Sequence, residues 1–268
     1  MTQRLKEIIY NTVTEANKKM TPREVERTVS LAAGANREMV RLAIRDLVST
    51  GELTYTYLYG GSYLEKSLDR PIRISRRIVI KPPHKAYQAQ QGDVVINIAS
   101  GAAFGDGAHP TTCLILSILD AVLDSHPLEQ TAHLTGLDVG TGTGILAIAL
   151  AKLGVQHVVG IDIDACAISE AIQNISVNGL VEQVTITNAS LEECGSGFSF
   201  IVANLAFPTL SRLSPVLSEK VEQNGILILS GFKESTANTL ERTYSEQGLR
   251  LIREEINSGW VCLMLRRG

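Results

Sequence analysis

A chain of 268 residues exceeds one average domain, and its 44% hydrophobic and 20% charged content suits a globular protein with a substantial core. That balance excludes a disordered chain, a collagen-like fibre and a disulfide scaffold. No run of 18 apolar residues occurs, and the opening MTQRLKEIIYNTVTEANKK has no apolar core with a cleavage site. Neither a membrane span nor a signal peptide is therefore expected. Cys113, Cys166, Cys194 and Cys262 stand 53, 28 and 68 residues apart, without metal-ligand or redox-motif spacing. They read as reduced thiols of a cytoplasmic protein, and no metal is expected. The net charge of −3 hides an asymmetry: residues 1–81 hold fifteen Lys and Arg against nine Asp and Glu, and the rest hold ten against nineteen. A basic first part and an acidic second part suggest two units with different partners.

Leu5, Ile8, Ile9, Thr12, Val13 and Ala16 form a helical stripe over residues 4–19. Thr21-Pro22 opens a second helix, with Thr21 as N-cap and Glu24 as the capping-box acid, ending near Ala33-Gly34. Asn36 caps a third, running through Met39, Val40, Ala43, Ile44 and Leu47 to Gly51. Leu53–Tyr59 is β-prone, Gly60-Gly61 signals a hairpin turn, and Ser62-Tyr63-Leu64 can return. Three helices and a ribbon resemble a winged helix-turn-helix domain, assigned to residues 1–68. Its third helix would carry Arg37, Arg41 and Arg45 on one face, suited to phosphates or base edges, or simply to solvent. Tyr55, Tyr57 and Tyr59 alternate, as a stacking surface or as the packed face of the wing.

Residues 69–93 read as a connector with some strand, punctuated by Pro71, Pro82 and Pro83. From residue 94 onward strand and helix signals alternate. Strands are expected at Leu134–Val139, His157–Asp162, Val184–Thr187, Phe200–Ala203 and Ile226–Leu229. Helices are expected at Cys113–Leu123, Ile145–Leu153, Ala165–Asn178 and Pro208–Leu217. This rhythm predicts an α/β fold with a parallel sheet covered by helices on both faces. Leu249–Ile256 and Trp260–Leu265, separated by Asn257-Ser258-Gly259, can form nothing but an antiparallel hairpin.

The strongest chemical signal is Asp138-Val-Gly140-Thr-Gly142-Thr-Gly144, between a strand and a helix. Glycine is needed where the backbone turns tightly and a ligand approaches the main chain. The helix N-terminus that follows offers unpaired N–H groups. Asp162, at the tip of the second strand and twenty-two residues after Gly140, can accept both ribose hydroxyls of a nucleoside. The G-x-G-x-G spacing after an acid resembles the first motif of Class I S-adenosylmethionine methyltransferases, whereas dinucleotide sites favour G-x-G-x-x-G.

A second segment, Ala103-Phe-Gly105-Asp-Gly-Ala-His109-Pro-Thr-Thr112, precedes the helix leading into the first strand. Together with Asp138–Gly144, Gly160-Ile-Asp162-Ile-Asp164 and Val202-Ala-Asn204, it resembles the ribosomal protein L11 methyltransferase family over about residues 94–268. The resemblance implies a Rossmann-like seven-stranded sheet with an antiparallel last strand, and S-adenosyl-L-methionine as cofactor. It implies cofactor contacts at Thr112, Gly140, Asp162 and Asn204. Phe104, Gly105, Asp138, Gly142 and Asn188 complete the expected cofactor site. Three features depart from the family: Asp106 replaces its usual Thr, Asn204-Leu-Ala-Phe207 replaces Asn-Ile-Leu, and the winged-helix-like residues 1–64 replace its α+β N-terminal domain.

Asn204 and Phe207 are the candidate catalytic residues. An asparagine carbonyl at a strand tip can accept N–H bonds from an amine or amide, and Phe207 occupies the aromatic slot of an Asn-x-x-[Tyr/Phe] motif. The alternative is that Phe207 packs the start of the next helix. His109 can be a base or shape its loop, and Asp164 reads as a helix cap. The expected activity is N-methylation of a macromolecule, with protein favoured over nucleic acid and no membrane partner. A nucleic-acid methyltransferase and a cofactor-sensing DNA-binding regulator are the alternatives.

Overall fold

The computed structural model describes residues 2–16, 18–58, 60–67, 69–99, 101, 103–105, 107, 109–125 and 133–268. The chain divides into two compact units, Met1–Pro71 and Ile72–Gly268.

In the first unit, α1 (Thr2–Thr14), α2 (Pro22–Ala33) and α3 (Arg37–Ser49) are followed by an antiparallel ribbon of β1 (Leu53–Leu58) and β2 (Gly61–Lys66). The caps are those expected: Thr21 and Glu24 form a capping box, Gly34 ends α2 at φ 61°, and the Asn36 side chain accepts from the Glu38 amide. Ile9, Val25, Val29, Val40, Leu47, Leu53 and Leu64 meet in a small core. The first helix stops at Thr14, short of the expected residue 19, because the Met20 carbonyl takes the Leu64 amide at 2.9 Å and draws the chain into a β-bridge.

The second unit begins where a connector was expected. β3 (Ile72–Arg73), β4 (Ile78–Lys81) and β5 (Val94–Asn97) form a three-stranded sheet, antiparallel between β3 and β4 and parallel between β4 and β5. Ile78, Ile80, Ile96 and Ile98 bury one face of it in the main core. Strands this short, bracketed by prolines, leave little periodicity to read.

The large sheet contains β6 (Thr135–Val139), β7 (His157–Ile161), β8 (Val184–Thr187), β9 (Phe198–Asn204), β10 (Val221–Lys233), β11 (Leu249–Asn257) and β12 (Trp260–Arg267). Their order is β11-β12-β10-β9-β6-β7-β8. β8, β7, β6, β9 and β10 pair parallel, and β12 runs antiparallel to both β10 and β11, as expected of the last strand. Ser258 (φ 52°) and Gly259 (φ 71°) make the two-residue turn between β11 and β12. Alternate residues serve opposite faces. Phe200 and Val202 pack with α4 (Pro110–Ser125), α5 (Ile145–Lys152) and α6 (Ala165–Val177), while Ile201 and Ala203 pack with α7 (Phe207–Lys220) and α8 (Glu234–Ser245).

The basic surplus of residues 1–81 does not belong to the first unit. Residues 1–71 hold eleven Lys and Arg against nine Asp and Glu, and Arg73, Arg76, Arg77 and Lys81 lie in the second unit. There Arg73 pairs with Asp93, Arg76 with Asp124 and Arg77 with Asp120, so the three arginines are largely neutralised. Among the described residues no helix is long and apolar enough to cross a membrane, and no group of three or more His, Cys, Asp or Glu could hold a metal ion.

Candidate active site

The carboxyl ends of β6, β7, β8 and β9 point the same way, and the residues singled out in the sequence gather there. After β6 the chain turns through Gly140 (φ 74°), Gly142 (φ 54°) and Gly144 (φ 81°) into α5. The Gly140 and Thr141 amides both donate to the Ile161 carbonyl of β7, at 2.9 and 3.0 Å. Asp162 accepts from the Gly142 amide at 2.9 Å and from the Asp164 amide at 3.0 Å. Asp164 in turn caps α6 through the Cys166 amide, as expected.

A Cβ on Gly142 would run into the Phe104 carbonyl oxygen, and one on Gly140 would lie 2.6 Å from Leu205 Cδ2. Glycine is thus required at 142 both by its left-handed φ and by the approach of another backbone segment.

Asp138 is fully buried beneath the loop. Its Oδ2 accepts from Thr141 Oγ1 at 2.7 Å and from the Ala147 amide at 3.1 Å, whereas its Oδ1 is buried without a partner among the described residues. Burial, opposed by these bonds and assisted by the Asp162 charge, pushes its carboxyl up to about 7.

Opposite the glycine loop lies a strap formed by Asn97–Ala99, Gly101 and Ala103–Gly105, held by side chains of α6 and its C-cap. Asn178 exchanges two bonds with the Asn97 backbone: Asn97 N donates to Oδ1 at 3.0 Å and Nδ2 donates to Asn97 O at 2.7 Å. Asn174 Oδ1 accepts from the Ala99 amide at 3.0 Å, and Glu170 accepts from the Ala103 amide at 3.1 Å. Asn178 and Asn174, four residues apart, are separated by a rise of about 6 Å, close to the roughly 6.6 Å between the alternate residues Asn97 and Ala99 of an extended chain. These two side chains are therefore in register with the strap, and Glu170, one turn earlier on the helix, meets it again four residues on at Ala103. Asn174 is buried, and its Nδ2 also donates to the Thr143 carbonyl at 2.9 Å, tying strap and loop together. Thr143 completes the junction, its amide donating to Phe104 O at 3.0 Å and its hydroxyl to Gly105 O at 2.6 Å.

The buried Thr112, in the first turn of α4, receives a bond from Asn204 Nδ2 at 3.3 Å, which brings two expected residues 92 positions apart into contact. With Nδ2 so engaged, Asn204 Oδ1 is the atom left to accept from a ligand. Phe207 lies in the first turn of α7 and packs against the core on that side of the sheet, the bland alternative for this ring. Asn188, past the end of β8, is exposed and makes no hydrogen bond among the described residues. His109 Nδ1 sits 2.7 Å from Thr111 Oγ1, which suits a loop-shaping role. Asp106 and Tyr59 lie outside the described residues.

Several features escaped the sequence reading. Phe104, His109 and Trp260 stack edge to face, with centroids 5.3 and 4.9 Å apart, and Lys233 Nζ lies 3.6 Å from the Trp260 ring centre. Trp260 comes from β12, paired with Lys233 at the end of β10, so nothing local in the sequence announces the group. Ile163 is fully exposed beside Asp162, an apolar surface next to the acid. The side chains that hold the strap had a readable signal: Glu170, Asn174 and Asn178 recur every four residues.

The model of the family described as "Ribosomal protein L11 methyltransferase (PrmA)" matches residues 63–268. The chain belongs to the ribosomal protein L11 methyltransferase family. The family's match starts some thirty residues before the expected residue 94 and takes in the three-stranded sheet. A ribosomal protein L11 methyltransferase of Geotalea uraniireducens is 36% identical over 209 residues, covering 75% of this chain and 65% of that protein. One from Geobacter sp. (strain M21) is 39% identical over 199 residues, covering 74% and 64%. This chain thus spans slightly less than two thirds of the length of these family members. The crystal structure of a ribosomal protein L11 methylase from Lactobacillus delbrueckii subsp. bulgaricus superposes with a TM-score of 0.65 at 30% identity, covering 74% of this chain and all of that one.

Proposed function

We propose that this chain is a cytoplasmic S-adenosylmethionine-dependent methyltransferase acting on a nitrogen of a protein, with a ribosomal protein as the favoured acceptor. The observation that carries this reading is the Asn204–Thr112 contact at the strand tips beside the glycine loop: it leaves a carbonyl oxygen to face a nitrogen acceptor. Family membership and the names of the relatives support methyl transfer to a protein. The four free cysteines agree with a reducing compartment.

The residues present fit the cofactor. Asp138 Oδ1, without a partner among the described residues, is an acceptor in need of a donor such as an ammonium group. The close approach of Phe104 to Gly142 forms a cradle that any side chain at 142 would fill. Asp162 would hold the ribose hydroxyls, Ile163 and Asn188 the adenine, and Gly140, Gly142, Phe104, Gly105 and Thr112 the remainder. When bound, the cofactor supplies a methyl group on a cationic sulfur. The protein's part is positioning: Asn204 Oδ1 accepts an N–H of the acceptor and orients its lone pair, Thr112 fixes the Asn204 amide, and Phe207 supports Asn204 from α7. The three helices and ribbon of residues 1–68 are best read as a winged helix that serves as an accessory module.

The test is methyl transfer from labelled S-adenosylmethionine to purified ribosomal protein L11 and to cell extract, with and without nuclease. Label in a protein band that survives nuclease is the expected result. Label confined to nucleic acid would reverse the choice of acceptor, and calorimetry showing no S-adenosylhomocysteine binding would remove the reading altogether.

A further inference from the structure

The first unit carries a charged surface that the proposed reaction does not use. Arg23 and Arg27 stand one turn apart on α2, and Arg37, Arg41 and Arg45 follow at four-residue intervals on α3. All five are exposed. Arg23, Arg27, Arg37 and Arg41 line a cleft of about 520 Å3 together with Glu24 and Glu26. Arg41 and Arg45 line an adjoining one with Thr21 of the cap and Ser62 of the ribbon.

Both carboxylates are already engaged. Glu24 accepts from Lys18 at 2.9 Å and closes the cap of α2. Glu26 is buried and takes both arms of Arg41, Nε at 3.0 Å and Nη2 at 3.1 Å. Asp46, which follows Arg45 on α3, pairs with Lys6. Arg23, Arg27, Arg37 and Arg45 are left with no ion pair among the described residues. A merely solvated face would scatter such charges among carboxylates.

The ribbon that contributes Ser62 to the cleft carries two exposed aromatic rings. Tyr57 lies opposite Ser62 in the ribbon, so both side chains share the face that lines the cleft, and Tyr55 is two residues along on that face. They are 72% and 49% exposed.

We propose that this cleft binds RNA, the guanidinium groups taking a phosphate strand and Tyr55 and Tyr57 taking unpaired bases. Arginine forks match phosphate geometry, and on α3 they repeat about every 6 Å, so a continuous phosphate chain engages several at once while a free phosphate engages one or two. Two exposed rings distinguish RNA from the other polyanions. Blunt duplex DNA keeps its bases stacked inside, an acidic peptide carries no bases, and folded RNA offers bases in its loops that stack on aromatic side chains. A protein acceptor that works within a ribonucleoprotein would bring such RNA close. The site nevertheless stands on the geometry of the first unit and would survive a different acceptor.

The experiment uses the full chain, a synthetic RNA hairpin with an unpaired loop, a blunt DNA duplex and purified ribosomal protein L11, read by fluorescence anisotropy across a salt series. The wild type should bind the hairpin more tightly than the duplex and lose affinity as salt rises. The triple variant Arg23→Gln, Arg37→Gln, Arg45→Gln should weaken hairpin binding at least tenfold and flatten log K against log salt by about 0.7 per lost contact. Arg41 is left in place because its fork holds Glu26. The double variant Tyr55→Leu, Tyr57→Leu should weaken hairpin binding without moving the salt slope. Wild-type circular dichroism and melting in both variants should show that the first unit still folds, and S-adenosylhomocysteine affinity, which belongs to the second unit, should stay at the wild-type value. Equal affinity for hairpin and duplex, hairpin binding that neither variant alters, or arginine-dependent capture of L11 with no RNA binding would each overturn the proposal.

Discussion

The glycine loop and the strap that faces it are built in opposite ways. The loop satisfies its amides from close by: Gly140 and Thr141 from the neighbouring strand, Gly142 from Asp162, and Gly144 from Thr141 at 2.8 Å. The strap borrows its partners from α6, 67 to 81 residues further along the chain. Both end on Thr143, so one wall of the site is set by backbone geometry and the other by side chains reaching across. A wall made of backbone tolerates almost no added atom, whereas a wall made of side chains can give.

A matched pair of alanines tests that contrast, and the larger effect falls on the loop. In Gly142→Ala the new methyl meets the Phe104 carbonyl oxygen at a left-handed φ of 54°, so the loop must move as a whole. We expect S-adenosylhomocysteine binding to be lost by calorimetry. In Gly101→Ala the obstacle is the Glu170 carboxylate, the far end of a flexible side chain, which can shift at the expense of its bond to the Ala103 amide. Binding should weaken by no more than a few fold in this variant. Comparable losses in the two would show that the strap is as rigid as the loop and break the comparison.

The same division explains what the sequence revealed. Asp138–Gly144 and Asp162 were legible because their types and spacing are dictated by local backbone geometry. The caps Thr21, Asn36 and Asp164 were legible for the same reason. Most of the order of strands and helices from residue 134 onward followed from periodicity, with ends a few residues from the expected ones, except that β10 extends well past Ile226–Leu229 and α8 was not expected. The Phe104–His109–Trp260 stack and the β3–β5 sheet were not legible, since each joins short segments far apart in sequence. Charge misled more than pattern did. Summing over 1–81 credited the first unit with arginines that pair with Asp93, Asp120 and Asp124 in the second.

A second pair of variants separates the two functions proposed for the strand tips. Asn204→Ala leaves Thr112 and the acceptor without their shared amide, and misplacing a reacting group can cost on the order of a hundredfold in turnover. S-adenosylhomocysteine affinity should change by less than it does in Asp162→Ala. The latter removes a charged acceptor and the Gly142 anchor, and should weaken binding by at least about tenfold. Wild-type turnover in Asn204→Ala would remove that residue from the reaction.

The loop also carries a pH signature. Asp138 is raised from 3.8 to about 7, chiefly by burial, so the folded protein holds this proton where the unfolded chain has released it. Its contribution to stability is complete below about pH 4 and lost as pH rises towards 7. Melting temperature should therefore fall between pH 5 and 7.5 in the wild type, and the fall should be shallower in Asp138→Asn, which cannot ionise. The carboxylates with depressed values, Glu24, Glu26, Asp93, Asp120 and Glu193, stabilise in the opposite sense, but they titrate below this window. An unchanged slope in Asp138→Asn would mean that the buried carboxyl ionises as freely as an exposed one.

The smallest effect expected comes from Asn174, which holds the strap and the loop at once. Asn174→Ala deletes the acceptor for the Ala99 amide and the donor to the Thr143 carbonyl, while Asn97 keeps its two bonds to Asn178 and Ala103 its bond to Glu170. The strap should stay in place but lose its register with the loop. Cofactor affinity should then fall a few fold, and amide exchange at Ala99 should accelerate without a matching change at Asn97. Asn174→Asp discriminates between the two bonds, because a carboxylate still accepts from Ala99 but faces the Thr143 carbonyl with no hydrogen to give. If the junction with Thr143 transmits the effect, Asn174→Asp should lower cofactor affinity as much as Asn174→Ala while restoring slow exchange at Ala99. Full recovery of affinity in the aspartate variant would place the effect in the strap alone and uncouple the two walls.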